Sequence, residues 1–248
     1  MAFSSGQLGE SEQQFSEALA QARDDPGSQT LAATIAGRLA GAYALLGQGE
    51  KVMTLGRWAL GTGRVTVAAA SELRTLIAIG ASQAAGPREA LAELGHLDAD
   101  PARVGLVDVD GLSFRGMLRL QAGDLSPAVR DLTASLRLSR RGATLVLGLR
   151  ACCYLALAQY LAGEWDDVLL TCEQGFSAAA IHSRRFDLPL LHLAACCVPA
   201  GRGQAGEAER HGRLAEEAAA SLDYGQERVY LKRLRSNCRC DVRTLAES

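Results

Sequence analysis

Glycine recurs along this chain at an interval that few folds can use. Gly6, Gly47, Gly86, Gly123, Gly163 and Gly203 are separated by 41, 39, 37, 40 and 40 residues. Around each lies the same text: a stretch with helix-like apolar spacing, the glycine, one or two polar residues, then a second helix-like stretch. The clearest copies read LAGAYALLGQGEKVMTLGRWAL, RGMLRLQAGDLSPAVRDLTASL and LALAQYLAGEWDDVLLTCEQGF. Self-similarity at this period is the mark of stacked supersecondary units, each burying its apolar face against its neighbours.

The residues at fixed offsets from each glycine show what kind of unit it is. Seven before come Ala40, Gly116, Ala156 and Cys196; five after come Val52, Ala128, Val168 and Ala208; twelve after come Ala59, Ser135, Gly175 and Ala215. All are small or medium-sized, which lets two helices cross closely where a bulky side chain would hold their axes apart. Phe15 and Leu132, nine after their glycines, supply larger groups for a neighbouring groove. A glycine in a left-handed conformation would end the first helix of each pair. The Gly86 copy fits only after a one-residue shift. The expected fold is all-α, a TPR-like α-solenoid of stacked helical hairpins over residues 1–230, followed by a basic tail over 231–248.

Composition agrees with that class. Apolar residues make up 48% of the chain but aromatic residues only 5%, so Ala and Leu carry most of the apolar surface, as suits close helix packing. Helix-start signals are placed at Ser126-Pro127 and at Asp187 ahead of Pro189, and the segment from Gly95 to Gly111 has no 3.6-residue period and reads as a loop.

Other features bound the function. A formal net charge of −2 creates no whole-chain attraction for nucleic acid or an anionic membrane. The first ten residues lack the basic start and apolar run of an export signal, and no run of 18 apolar residues is present. Seven cysteines without such a signal are expected to be reduced thiols, which places the chain in the cytoplasm. No GxSxG nucleophile motif and no GxxxxGK[ST] phosphate cradle occurs. The expectation is a chain without catalytic, cofactor or metal sites.

The stretch YLAGEWDDVLLTCEQGFSAA, followed by RRFDLPLLHLAACCVPAGRGQAGEAERH, resembles the helical-repeat region of large actinobacterial LuxR-type, MalT-like ATPase regulators. Trp165-Asp166-Asp167 and Phe186-Asp187-Leu188-Pro189 recur together at the family's interval, and the resemblance covers roughly residues 6 to 230. It implies a scaffold that couples a protein or small-molecule signal to an ATPase module on one side and a DNA-binding helix-turn-helix on the other. Neither module is recognisable here, so those activities do not carry over. The chain opens and closes in mid-pattern, and the expectation is a piece of a longer or truncated protein. The helix around Phe15, Ala18, Leu19 and Ala22 is then expected to lack a partner and to promote self-association.

Few residues invite a sharper assignment. Arg140-Arg141 and Arg184-Arg185 each follow a serine after the second helix of consecutive hairpins, so a solenoid would bring them to one edge as a candidate partner contact. His192 and Cys196, four apart on a predicted helix, share a face, but the spacing is weaker than CxxC and reads more simply as core. Arg228, Lys232, Arg233, Arg235, Arg239 and Arg243 make the tail basic; the alternative function is a transcription regulator touching DNA through it. Without interleaved aromatics or a base-reading helix, nucleic acid is not the expected partner.

Overall fold

The computed structural model describes residues 5–141, 148–182 and 187–220. Among them are eleven α-helices and three short 3-10 turns, with no strand. In chain order the helices are α1 (Ser5–Asp24), α2 (Gln29–Leu45), α3 (Gly49–Gly61), α4 (Val67–Ala84), α5 (Pro87–Glu93) and α6 (Val109–Gln121). They continue with α7 (Leu125–Arg140), α8 (Gly148–Ala162), α9 (Trp165–His182), α10 (Leu188–Gly201) and α11 (Ala205–Ala220). After α1 these pair as five hairpins, α2–α3 through α10–α11, each packed on the next. The protein is an all-α, TPR-like helical-repeat solenoid.

The turns explain the glycine interval. Gly47, Gly123, Gly163 and Gly203 have φ between 71° and 88°, a region that L side chains rarely adopt. At each, two backbone bonds close the helix end in the Schellman pattern. Gln48 N–H donates to Tyr43 O at 2.9 Å and Gly47 N–H to Ala44 O at 3.2 Å, and the same pair recurs at Asp124–Arg119, Glu164–Gln159 and Gln204–Pro199. Carbonyls left orphaned by the helix end are satisfied without any side chain. Gly86 is different, because its own N–H makes the longer bond, to Ala81 O at 3.2 Å. It therefore stands one place later in the motif, which is the physical origin of the one-residue shift. Counted from that place, Ala78 and Ala90 become the small crossing residues, and both are fully buried. Gly6, expected at a turn, lies inside α1. Two expected helix starts also move. Helix α7 begins at Leu125 behind Asp124, so Ser126 and Pro127 occupy its first turn, where a missing N–H costs nothing. Asp187 does precede α10, but its carboxylate makes no cap and instead accepts from Arg150 Nε at 2.8 Å.

Every crossing residue named from the repeat offsets is buried, including Ala40, Val52, Ala128, Ala156, Val168 and Ser135 at no exposure. Close approach is most evident where α3 meets α4. A Cβ on Gly49 would lie 2.3 Å from Gly80 O, and one on Gly56 would lie 2.6 Å from Ile77 Cγ1. The core runs along the stack as overlapping clusters: one from α1 to α4, one from α4 to α7, and one from α6 to α10. Polar side chains add links of about one repeat in sequence separation. Arg57 binds Glu93 at 2.5 Å, Arg202 binds Asp166 at 2.8 Å, Ser71 donates to Asp108 at 2.6 Å and Gln83 donates to Ala44 O at 2.7 Å.

Helix α1 does not present its apolar stripe to water. Leu19 and Ala22 are buried and Phe15 packs on the same cluster as Ala32, Ala36 and Leu39 of α2. The Arg23 guanidinium sits 3.9 Å from the Trp58 ring centroid, and Lys51, 4.6 Å from the Tyr43 ring, reaches Glu12 at 3.6 Å. The stripe expected to lack a partner thus packs on α2, the helix that follows it in the chain.

Candidate interaction surface

Of the four arginines expected at one edge, Arg140 and Arg141 are described and Arg184 and Arg185 lie outside the described residues. Arg140 is the last residue of α7 and donates to Gln174 Oε1 of α9, joining the third hairpin to the fourth. Arg141 follows as the C-cap and is exposed. Position at a helix C-terminus favours both, since a cation there meets the negative end of the helix dipole. The basic tail also lies outside the described residues.

A different edge carries the more unusual chemistry. First helices of successive hairpins run side by side, so the beginnings of α2, α4 and α6 lie along one rim of the stack. Four large apolar side chains are exposed on that rim: Leu31 at 55%, Val67 at 76%, Leu106 at 51% and Val107 at 42%. The Ser71–Asp108 hydrogen bond holds Val67 near Val107, because Ser71 is one turn beyond Val67 and Asp108 directly follows Val107. Single exposed apolar residues are ordinary, but a row across three repeats is a feature of contact surfaces. Sequence reasoning missed it because Val67 and Leu31 belong to apolar stretches whose other members are core.

Between α6 and α7 lies a buried ionic network that the sequence reading also missed. Asp131, fully buried, accepts from Arg115 Nη2 and Nε, both at 2.9 Å, and from Arg119 Nη1 at 2.6 Å. Arg115, 4% exposed, directs Nη1 to the carbonyls of Asp98 at 2.8 Å and Leu97 at 3.4 Å. Both oxygens of Asp131 and all three nitrogens of Arg115 therefore have partners, the condition under which buried charges are tolerated. The network is a clasp: it ties the 94–108 loop to the third hairpin. An i, i+4 arginine pair sixteen and twelve residues before an aspartate was its available signal.

His192 does not turn toward Cys196. It faces His211 of α11, with the two Nδ1 atoms 3.1 Å apart. Phe176 of α9 packs on both rings, at centroid distances of 4.7 Å and 6.1 Å. Arg210 Nη2 lies 3.1 Å from His211 Nε2. Burial, then the neighbouring His211 and Arg210, lower the His192 pKa to about 4; burial and Arg210 lower that of His211, against Glu207. Cys196 packs instead with Ala200 and Ala208. Burial pushes the thiols of Cys152 up to about 11 and of Cys172 up to about 12, and that of Cys153 far above its usual range. Thiols so disposed are poor nucleophiles. Among the described residues no group of three or more His, Cys, Asp or Glu is arranged to hold a metal ion, and no helix is long and apolar enough to cross a membrane.

No protein-family model matches the chain and no curated protein matches it. Among solved structures, a Rap protein complexed with Competence and Sporulation Factor is similar in fold. The TM-score is 0.56 at 15% sequence identity, over 95% of this chain and 72% of that one. At that identity the similarity is one of fold: a helical-repeat stack.

Proposed function

We propose that this chain is a non-catalytic, cytoplasmic scaffold that binds a protein or small-molecule signal, as the interaction region of a regulator of the LuxR type. The observation that carries the reading is the apolar rim formed by Leu31, Val67, Leu106 and Val107. Solenoids bind through extended surfaces that run across successive repeats, and these four residues lie at or just before the start of the first helix in three of them. Burying Val67 and Leu106 against a partner would each contribute on the order of 1–2 kcal/mol, enough together to matter in a moderate-affinity contact. The similarly folded Rap protein, complexed with Competence and Sporulation Factor, supports the use of such a stack for a signalling ligand. The Trp165-Asp166-Asp167 and Phe186-Asp187-Leu188-Pro189 segments support the LuxR-type relationship.

The test places a photo-crosslinking amino acid in turn at Val67, at Leu106 and at exposed Glu217 of α11, in cells that make the protein. The expected result is one shared adduct from the first two positions and none from the third. Glutamate at the remaining rim residues should abolish that adduct. No adduct at either rim position, or the same adducts at all three, would overturn the assignment of this rim as the contact.

A further inference from the structure

The contact between His192 and His211 has a property that neither ring has alone. Arginine stays protonated at any ordinary pH, so Arg210 can only donate, and His211 Nε2 must accept. A neutral His211 then carries its proton on Nδ1, which leaves it able to donate to His192 Nδ1 at 3.1 Å. His192 in turn holds its own proton on Nε2. The result is a directed chain from Arg210 through His211 to His192, with both imidazoles neutral.

We propose that this pair is a pH-sensitive latch, a hydrogen bond that holds α11 to α10 while both rings are neutral and releases α11 when the pair gains a proton. The geometry leaves no favourable place for that proton. On His192 Nδ1 it would oppose the Nδ1 proton of His211; removing the clash would require His211 to move its proton to Nε2, against the Arg210 donor. On His211 Nε2 it would meet the same donor directly. Either way one of the two bonds is lost and a second cation appears beside Arg210. The charged groups acting on the pair are Arg210, on both rings, and Glu207, on His211 alone. Helix α9 presents Phe176 to both rings. α11 packs chiefly on α10, and the cluster beneath the latch is small: Cys196, Ala200 and Ala208. The side chains that α11 buries are small, Ala208 and Ala215, so loss of the latch loosens its hold on α10 and uncovers Phe176.

The sign follows from linkage. A histidine whose folded pKa lies below its free value binds protons better when released, so the closed state is fully stable above pH 6.5 and weakens as pH falls toward 4. His192 alone, falling from 6.5 to about 4, multiplies the opening constant roughly thirtyfold at pH 5. Hydrogen exchange of the full chain, normalised for intrinsic rates at pH 7.5 and pH 5.0, reads this in peptides from α11. The expected result is a loss of protection of roughly thirtyfold or more in α11, with α2 and α3 changed far less. The double substitution His192→Phe with His211→Phe keeps ring packing against Phe176 and should remove the pH dependence. Equal pH sensitivity in α11 and α3, or its persistence in the folded double variant, would overturn the latch. Should that variant not fold, nitrogen NMR of the unmodified imidazoles decides alone. Titration of His192 near 4 and of His211 below its ordinary range, with His211 in its Nδ1–H form, supports the latch, and ordinary titration of both near 6.5 refutes it.

Discussion

Replacing Gly116 with alanine tests how tightly a hairpin is closed. The new Cβ would lie 2.6 Å from Leu132 Cγ, 3.1 Å from its Cδ2 and 3.2 Å from Asp131 Cβ. Neither neighbour can give way easily. Leu132 is fully buried, and Asp131 is pinned by two arginines. Over-packing of this kind costs about 1–3 kcal/mol. Alanine also favours the helix over glycine by about 0.8–1 kcal/mol, which leaves a net loss of up to about 2 kcal/mol. Gly41 of α2 is the matched control, since a Cβ there has no neighbour within 4 Å. Gly41→Ala should therefore raise stability by about 0.5–1 kcal/mol. Urea unfolding followed by circular dichroism, with m-values compared to confirm a common denatured state, reads both. The two variants should move the midpoint in opposite directions. If Gly116→Ala is as stabilising as Gly41→Ala, then α6 and α7 are not in the close contact described, and the small-residue logic of the repeat is wrong.

Three further outcomes are expected. Asp131→Ala should destabilise by about 3–5 kcal/mol in the same assay, because it strands the buried Arg115 guanidinium, whereas Asp131→Leu combined with Arg115→Met should recover most of that loss. Ala156→Leu, at a crossing with no exposure, should cost about 1–3 kcal/mol, while Glu173→Leu on the exposed face of α9 should change stability by less than about 0.5 kcal/mol. Cys152, Cys153 and Cys172 should resist a neutral alkylating reagent at pH 8 in the native protein and react promptly in urea, which peptide mass mapping resolves; rapid native labelling would contradict their raised pKa values.

The hairpins were readable from sequence because their turns depend on a local requirement. A Schellman ending needs a left-handed residue, glycine meets it cheaply, and four helices therefore leave a visible mark. Small crossing residues were readable for a related reason, since close helix approach excludes large side chains wherever it occurs. What the sequence hid depends on partners brought together only by the fold. His192 and His211 look like isolated helix-surface residues until α10 and α11 close. Arg115 resembles any helix arginine until the 94–108 loop lays two carbonyls over it. Gly6 fits the glycine interval yet lies inside α1, because spacing alone does not separate a turn glycine from a helical one. The stripe of Phe15, Leu19 and Ala22 is legible in the sequence, and α2 covers it.

The overlapping cores make this stack mechanically a set of springs in series. No helix touches both ends, so extension applied along the chain is shared among hairpins and concentrates in the most compliant. The second hairpin is the obvious candidate, because α5 has only seven residues and spans roughly 10 Å, two turns against the four or five of its neighbours. The chain that follows it would be slack if left alone. Instead Asp108 is bound to Ser71 of α4, and Leu97 and Asp98 are bound to Arg115 of α6, so the loop becomes a brace across the weak unit. The stiffness of the solenoid thus depends on a guanidinium held in place by Asp131, and removing that carboxylate would soften a structure much longer than the site it occupies.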